Sequence, residues 1–148
     1  MINYKNVNKE LDSLCEGVNF DITILSNACA LLYKNMDNIN WLGFYILKDN
    51  ELLLGPFQGN PACVKIQIGK GVCGTCIKEE RTIVVGNVHE FPGHIACDER
   101  SKSEIVIPIY KGKKIYGVLD IDSPVYNRFD DNDREGLEES VKIIEKYI

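Results

Sequence analysis

The sequence has 148 residues, of which 45% are hydrophobic and 26% charged, and its 17 basic and 22 acidic side chains give a net charge of −5. This composition is typical of one globular domain whose core needs no covalent cross-links. An acidic chain without a basic patch argues against nucleic acid as a partner, and no apolar run is long enough for a membrane helix. The first residues do not resemble a secretory signal, so we expect a cytoplasmic protein whose six cysteines stay reduced unless they are used chemically.

The hydrophobic pattern predicts two helices, a meander of strands and a final helix. Apolar residues at helical spacing cover residues 7–18 and 25–36, and Asp21 is a plausible N-cap for the second helix. Asp130 is the predicted cap of the last helix. The predicted strands cover residues 41–47, 52–54, 64–68, 83–85, 103–110 and 114–122. The glycine-rich middle of the chain is predicted to be mostly loop, with a short helix at 73–79. The segment 87–102 is predicted to be irregular. The whole chain, 1–148, is predicted to be one α+β domain around an antiparallel sheet.

Alternation along two of these strands separates polar from apolar faces. In the first strand Trp41 and Tyr45 share a face, where they either pack in the core or form an aromatic wall around a ligand. In the last strand Asp120 and Asp122 share a face with Tyr116 and Val118, opposite the face of Ile115, Gly117, Leu119 and Ile121. Glu104 on the preceding strand can join the two aspartates through hairpin pairing. Solvent exposure is the ordinary interpretation of such carboxylates, whereas convergence would suit an ammonium group or a shared proton.

The six cysteines fall into different settings. Cys15 and Cys29 lie on apolar helical stripes, where a thiol behaves as a small hydrophobic group. Cys63 and Cys97 lie in irregular segments, and two loop thiols are an arrangement suited to sulfenic acid formation followed by disulfide closure. His89 and His94 would favour a Cys97 thiolate, whereas Asp98 would oppose it.

The sequence Cys73-Gly74-Thr75-Cys76 forms a C-x-x-C pair. Such a pair occurs in zinc sites, but no second pair accompanies it, and the candidates for further ligands are Cys63, Cys97, His89 and His94. A thioredoxin-type redox pair would open a helix in a parallel sheet, which this chain does not predict. The alternative is that Cys76 packs inside a short helix and the spacing has no chemical meaning.

Several motifs between Trp41 and about Asp133 together resemble one enzyme family. They are Gly55-Pro56-Phe57-Gln58-Gly59 before Pro61-Ala62-Cys63, Gly71-Val72-Cys73-Gly74-Thr75, Val88-His89, Phe91-Pro92-Gly93-His94-Ile95-Ala96-Cys97-Asp98, Ser101, Ser103-Glu104-Ile105-Val106, Pro108, and Gly117-Val118-Leu119-Asp120-Ile121-Asp122-Ser123-Pro124. The sequence resembles the free methionine-(R)-sulfoxide reductases, enzymes built on a single GAF domain. Cys76 departs from the family pattern, in which alanine is more usual.

This resemblance implies a GAF fold, with a six-stranded antiparallel sheet flanked by helices and a ligand pocket. It implies that Cys97 is the nucleophile, Cys63 the resolving thiol and Cys73 a third thiol that assists recycling. It also implies that Glu104, Asp120 and Asp122 bind the substrate, with Trp41 and Tyr45 lining the pocket. The implied cycle leaves a sulfenic acid on Cys97, closes a disulfide and is completed by thioredoxin, with no metal or organic cofactor.

Two other functions remain open from the sequence: a non-catalytic GAF sensor of a small molecule, and a thiol redox sensor that uses a Cys63–Cys97 bridge as its signal. Carboxylates near Cys97 would also reduce its thiolate fraction unless one of them is protonated. The sequence does not decide whether the chain forms a homodimer, which carboxylate supplies a proton, whether Cys73 or Cys76 competes as the resolving thiol, or what binds the substrate carboxylate.

Overall fold

A computed structural model of the chain describes residues 1–95 and 97–148, so that Ala96, which belongs to the motif around Cys97, lies outside the described residues. The described residues form four α-helices and six strands. In chain order they are α1 Tyr4–Cys15, α2 Asp21–Asn35, β1 Trp41–Lys48, β2 Glu51–Gly59, β3 Lys65–Gln67, α3 Gly71–Glu79, β4 Ile83–Val85, a single 3₁₀ turn Val88–Glu90, β5 Ser103–Lys111, β6 Lys114–Ser123 and α4 Asp131–Glu145.

The strands form one antiparallel sheet in the order β3-β2-β1-β6-β5-β4. The α+β architecture with a six-stranded antiparallel sheet is therefore confirmed. Helices α1, α2 and α4 cover one face, and their apolar stripes pack against Leu42, Phe44 and the matching residues of β5 and β6. Helix α3 lies on the other face, against a second cluster that contains Trp41 and Tyr45. The predicted alternation along β1 is thus confirmed, and the face with the aromatic side chains is the one opposite the three long helices.

Two N-caps were predicted from the sequence, at Asp130 and Asp21, and the structure confirms the first. Asp130 caps α4 with a capping box, since its carboxylate accepts from the Asp133 N–H and Asp133 accepts from the Asp130 N–H. The N-cap predicted at Asp21 is wrong: α2 begins at that residue and Phe20 takes the cap position. The Asp21 carboxylate instead accepts from the Tyr116 hydroxyl at 3.2 Å and pairs with Lys111 at 3.6 Å, so tertiary contacts occupy the side chain.

Strand β2 runs five residues further than predicted and includes Gly55 and Pro56. The register slips here, because Gly43 faces Phe57 while Tyr45 faces Leu54. Such a bulge accommodates a proline, which has no N–H to donate to the neighbouring strand. The predicted loop at residues 55–59 is therefore wrong, and the glycine and proline mark a bulge within a strand.

A second bulge, in β6, makes the residues that share a face differ from those predicted. Gly117 faces Ile109 but Ile115 faces Tyr110, so Tyr116 is an additional residue in β6. As a result Ile115 lies with the α3 side of the sheet and Tyr116 with the long helices, the reverse of the prediction. Beyond the bulge the predicted alternation holds, and Val118 and Asp120 lie on the α3 side.

No helix in the described part of the chain combines the length and hydrophobicity needed to cross a membrane.

Candidate active site

A cavity lies between the sheet and α3, and the segment that carries Cys97 forms part of its wall. Its empty volume, counted to the mouth and including the solvent space there, is about 540 Å³. Among the lining residues are Trp41, Tyr45, Cys73, Cys97, Glu104, Asp120 and Asp122.

Two adjacent rows of the sheet build the floor of this cavity. In the first row Trp41 lies opposite Asp122, and Asp122 lies opposite Glu104. In the next row Asp120 lies between Gly43 and Val106. A side chain at Gly43 is not tolerated, since a Cβ there would lie 2.4 Å from the Phe57 Cβ and 2.6 Å from the Trp41 ring. The sheet register thus brings three acidic side chains and one aromatic side chain to a single patch.

The aromatic side chains form a layered wall. The Trp41 ring stacks on Tyr45 at 5.9 Å and on Phe57 at 5.3 Å between ring centroids. The polar groups of Trp41 and Tyr45 are hydrogen-bonded to the segment around Cys63. The Tyr45 hydroxyl donates to the Cys63 carbonyl at 2.8 Å, and the Trp41 indole N–H donates to the Asn60 carbonyl at 3.1 Å. The sequence left open whether these rings pack in the core or form a wall around a ligand. They do both, since Trp41 and Tyr45 are buried and also line the cavity.

The three carboxyl groups have different electrostatic environments. Burial, together with the charges of Asp120 and Asp122, raises the pKa of Glu104 well above its usual value. The pKa of Asp122 is likewise raised by burial, then by the charges of Asp120 and Asp98. Burial also raises the pKa of Asp120, but hydrogen bonds from Glu104 and Cys73 favour its ionised form. Asp120 is therefore the member of the group best suited to carry negative charge, while the raised pKa values of Glu104 and Asp122 favour their protonated forms.

Cys63 and Cys97 form a disulfide at the cavity wall, with a Cα–Cα distance of 5.7 Å, although 34 positions separate them in the sequence. Cys15, Cys29, Cys73 and Cys76 are free and buried. Cys15 and Cys29 belong to the core between the long helices and the sheet, as their apolar setting predicts.

The two thiols of the C-x-x-C pair lie in different surroundings. Cys73 and Cys76 both point from α3 toward the sheet, but they meet different neighbours. Cys73 lies beside Asp120 in the cavity, whereas the Cys76 thiol faces the Val106 carbonyl at 3.8 Å. Burial raises the pKa of Cys76 to about 12 and that of Cys73 well above its usual value. The alternative in which Cys76 is a packing residue fits this position.

The segment around Cys97 is anchored by contacts that the sequence did not reveal. Asp98 forms an ion pair with Arg100 at 2.8 Å, and the Asn40 amide donates to Asp98 at 3.1 Å and to Ser101 at 3.2 Å. The Arg100 hydrogen bond, followed by the Arg100 backbone N–H and the Asn40 amide, lowers the pKa of Asp98 to about 2 despite some burial. Asn40 was missed because its partners are 58 and 61 positions away and it carries no motif.

The two histidines differ in position. His94 lines the cavity, with its Nε2 4.0 Å from a Glu104 oxygen. Burial and the neighbouring His89 lower the pKa of His94, so it supplies no positive charge at neutral pH. His89 lies near Tyr126, with 6.5 Å between ring centroids. His94 therefore does not favour a Cys97 thiolate through a positive charge, contrary to the expectation from the sequence.

Comparison with known proteins places the chain in a family. Residues 8–148 match the GAF domain. The free methionine-R-sulfoxide reductase of Escherichia coli is 47% identical over 145 residues, which cover 98% of this chain and 88% of that protein. A structure described as the reduced form of fRMsr of Staphylococcus aureus is 62% identical, with a TM-score of 0.97 and coverage of 99% and 96%. A structure of the Neisseria meningitidis free methionine-R-sulfoxide reductase in complex with its substrate is 39% identical, with a TM-score of 0.94 and coverage of 97% and 87%. The chain belongs to the GAF domain family, among relatives that include free methionine-R-sulfoxide reductases.

Proposed function

We propose that the protein reduces free L-methionine-(R)-sulfoxide to L-methionine in a thiol-dependent cycle. The observation that carries the proposal is the Cys63–Cys97 disulfide, which lies in the wall of the same cavity as three converging carboxyl groups. A redox couple supplies the two electrons, and protonated carboxyl groups supply the acid that a sulfoxide oxygen needs. The names of the Escherichia coli and Staphylococcus aureus relatives agree with this chemistry.

The substrate fits the cavity by chemical type. The Asp120 carboxylate is placed to pair with the ammonium group, and the Trp41–Tyr45 wall offers an apolar surface to the methylthio end. Lys70, at the start of α3, lines the cavity and can meet the substrate carboxylate, together with the first backbone N–H groups of that helix. A methionine within a polypeptide has no free ammonium group, so the arrangement favours the free amino acid.

The first step transfers the sulfoxide oxygen. The Cys97 sulfur attacks the sulfoxide sulfur while Glu104 or Asp122 shares its proton with the sulfoxide oxygen. The S–S bond formed in this attack and the S–O bond of the substrate then break as the hydroxyl group moves to the Cys97 sulfur, so methionine leaves with two electrons and Cys97 becomes a sulfenic acid. The thiol proton of Cys97 restores the carboxyl group, so thiol plus sulfoxide gives sulfenic acid plus thioether.

The second step closes the disulfide. The Cys63 thiol displaces water from the Cys97 sulfenic acid and forms the bond seen in the structure. An external dithiol, thioredoxin in our proposal, then reduces the bridge by two successive thiol–disulfide exchanges. Cys73 lines the same cavity and is the candidate third thiol for this recycling. A reducing, cytoplasmic compartment suits a cycle that must return both cysteines to thiols.

One assay tests the reaction. The reduced protein is incubated with dithiothreitol and with each methionine sulfoxide epimer, free and peptide-bound, and methionine release is measured. We expect release from the free R epimer alone. No release, with Cys97 shown to be reduced, would overturn the proposal, and a bridge that still opens and closes would then indicate a redox sensor. Cys97→Ser should abolish release, whereas Cys76→Ser, a matched control on α3, should retain it.

A further inference from the structure

A second kind of ligand suits the floor of the cavity. The Cys73 sulfur, one Glu104 oxygen and one Asp120 oxygen lie within 4.8 Å of one another, and all three residues are buried. They come from three separate elements, α3, β5 and β6. The sheet register and the packing of α3 therefore hold the three atoms together, so the grouping is not a chance of local sequence.

One oxygen in this group has no partner. Asp120 is 5% exposed, and its Oδ1 accepts no hydrogen bond from any described residue. Glu104 and Cys73 donate to the Asp120 carboxylate, but Oδ1 itself has no donor in the described part of the chain, and a buried oxygen without a donor is unfavourable because it has lost its hydrogen bond to water. The same side chain lines the cavity, so a cation that enters can satisfy the free oxygen.

The types of donor atom narrow the choice of cation. One sulfur with two carboxylate oxygens is unsuitable for Mg²⁺ or Ca²⁺, which take oxygen ligands, and suits Zn²⁺, which accepts sulfur, nitrogen and oxygen. His94 can add a nitrogen, since its Nε2 lies 4.0 Å from a Glu104 oxygen. Three or four protein ligands within a few ångströms are what a tetrahedral zinc ion requires.

We propose that Cys73, Glu104 and Asp120 form an inhibitory site for Zn²⁺ and similar thiophilic divalent cations. Binding releases the Cys73 proton and any carboxyl protons to water, and no electrons are exchanged. The ion occupies the position that we propose for the substrate ammonium group, and it withdraws the Cys73 thiol from exchange. The inhibition rests on the proposed function, whereas the binding does not.

The disulfide form of the protein provides the sharpest test. When the Cys63–Cys97 bridge is closed, neither of those sulfurs is a free thiolate, and Cys73 is the free thiol that lines the cavity. Oxidised protein is titrated with Co²⁺, whose thiolate complexes have a charge-transfer absorption, and with Zn²⁺ by calorimetry. We expect one ion per chain and a cobalt–thiolate band. Cys73→Ser should abolish the band and weaken binding by more than about 100-fold, the upper end of the loss caused by removing an outer ligand partner.

Cys76→Ser is the matched control, because it removes a buried thiol from the same helix outside the ligand group. Absence of a band in oxidised wild type, or equal loss in both variants, would overturn the site. X-ray absorption of the zinc-loaded wild type needs no variant and should show one sulfur among lighter ligands, whereas two sulfurs would contradict the assignment.

Inhibition of the reductase activity is tested separately from metal binding. With reduced enzyme, zinc should raise the apparent KM for free methionine-(R)-sulfoxide. Zinc binding without any reductase activity would leave the metal site standing and remove the proposed function. Activity that zinc does not inhibit, in protein that binds zinc at Cys73, would leave the proposed function standing and remove the inhibition.

Discussion

Replacing Glu104 with glutamine tests whether this side chain acts as a general acid. Glu104 is 6% exposed and lies opposite Asp122 in the sheet, and burial raises its pKa well above 4.5. The protonated acid and the glutamine amide are both neutral and similar in shape, so Glu104→Gln preserves packing. Glutamine cannot deliver a proton, however, and loss of a positioned general acid lowers turnover by roughly 100- to 10,000-fold.

The same substitution changes the pH dependence of folding. Because the folded-state pKa of Glu104 is raised, its contribution to stability is fully present below pH 4.5 and is lost as pH rises toward the folded-state value. Each pH unit in that window costs the wild type at most about 1.4 kcal/mol of unfolding free energy through this one proton. Between pH 5 and 7 the variant should therefore lose less stability than the wild type as the pH rises.

Two measurements check these expectations: chemical denaturation at pH 5, 6 and 7, and methionine release from the free R epimer. Glu138→Gln is the matched control, because Glu138 is a half-buried glutamate on α4 that accepts from the Thr82 hydroxyl at 2.7 Å, away from the cavity. The control should follow the wild type in both measurements. Wild-type turnover in Glu104→Gln would refute the acid role, and an unchanged pH slope would refute the buried neutral state.

The other predictions concern the positioning of the two redox sulfurs. Cys63→Ser should keep methionine release with a small dithiol but lose it with thioredoxin, and equal loss with both reductants would contradict a resolving role. Tyr45→Phe removes the hydroxyl that donates to the Cys63 carbonyl, so disulfide closure in stopped-flow measurements should slow by up to about tenfold. Asn40→Ala removes the two hydrogen bonds that hold the Cys97 segment, so iodoacetamide should alkylate Cys97 faster in the reduced variant. Unchanged rates in these two variants would show that the contacts do not position the sulfurs.

The alternation of polar and apolar side chains predicted which face of the sheet each residue occupies wherever the strand pairing is regular. Trp41 and Tyr45 share the cavity face because successive side chains in a strand point to opposite sides. The prediction failed at Ile115 and Tyr116, and at the proline within β2, because each lies at a bulge. A bulge depends on the pairing of two strands, and neither strand shows it when it is considered alone.

The site was predictable to the extent that it depends on neighbouring strands. Pairing in a tight hairpin brings Glu104 opposite Asp122, and the sequence contains both the turn and the alternation. Pairing cannot locate Asn40, which lies just before β1 and reaches the Cys97 segment through the folded core. Long-range polar contacts of this kind follow from the completed packing and leave no periodic pattern.

The structure resolves the conflict between clustered carboxylates and a reactive thiol through the distribution of protons. Three ionised carboxylates and an ionised Asp98 near Cys97 would oppose its thiolate strongly. Instead, burial favours the protonated forms of Glu104 and Asp122, and the charge of Asp98 is balanced by Arg100 at 2.8 Å. Asp98 remains ionised through this pairing, and its charge in turn raises the pKa of Asp122. In the proposed reaction the acidic surroundings therefore supply the proton for sulfoxide reduction, while one carboxylate, Asp120, is left to attract a cation.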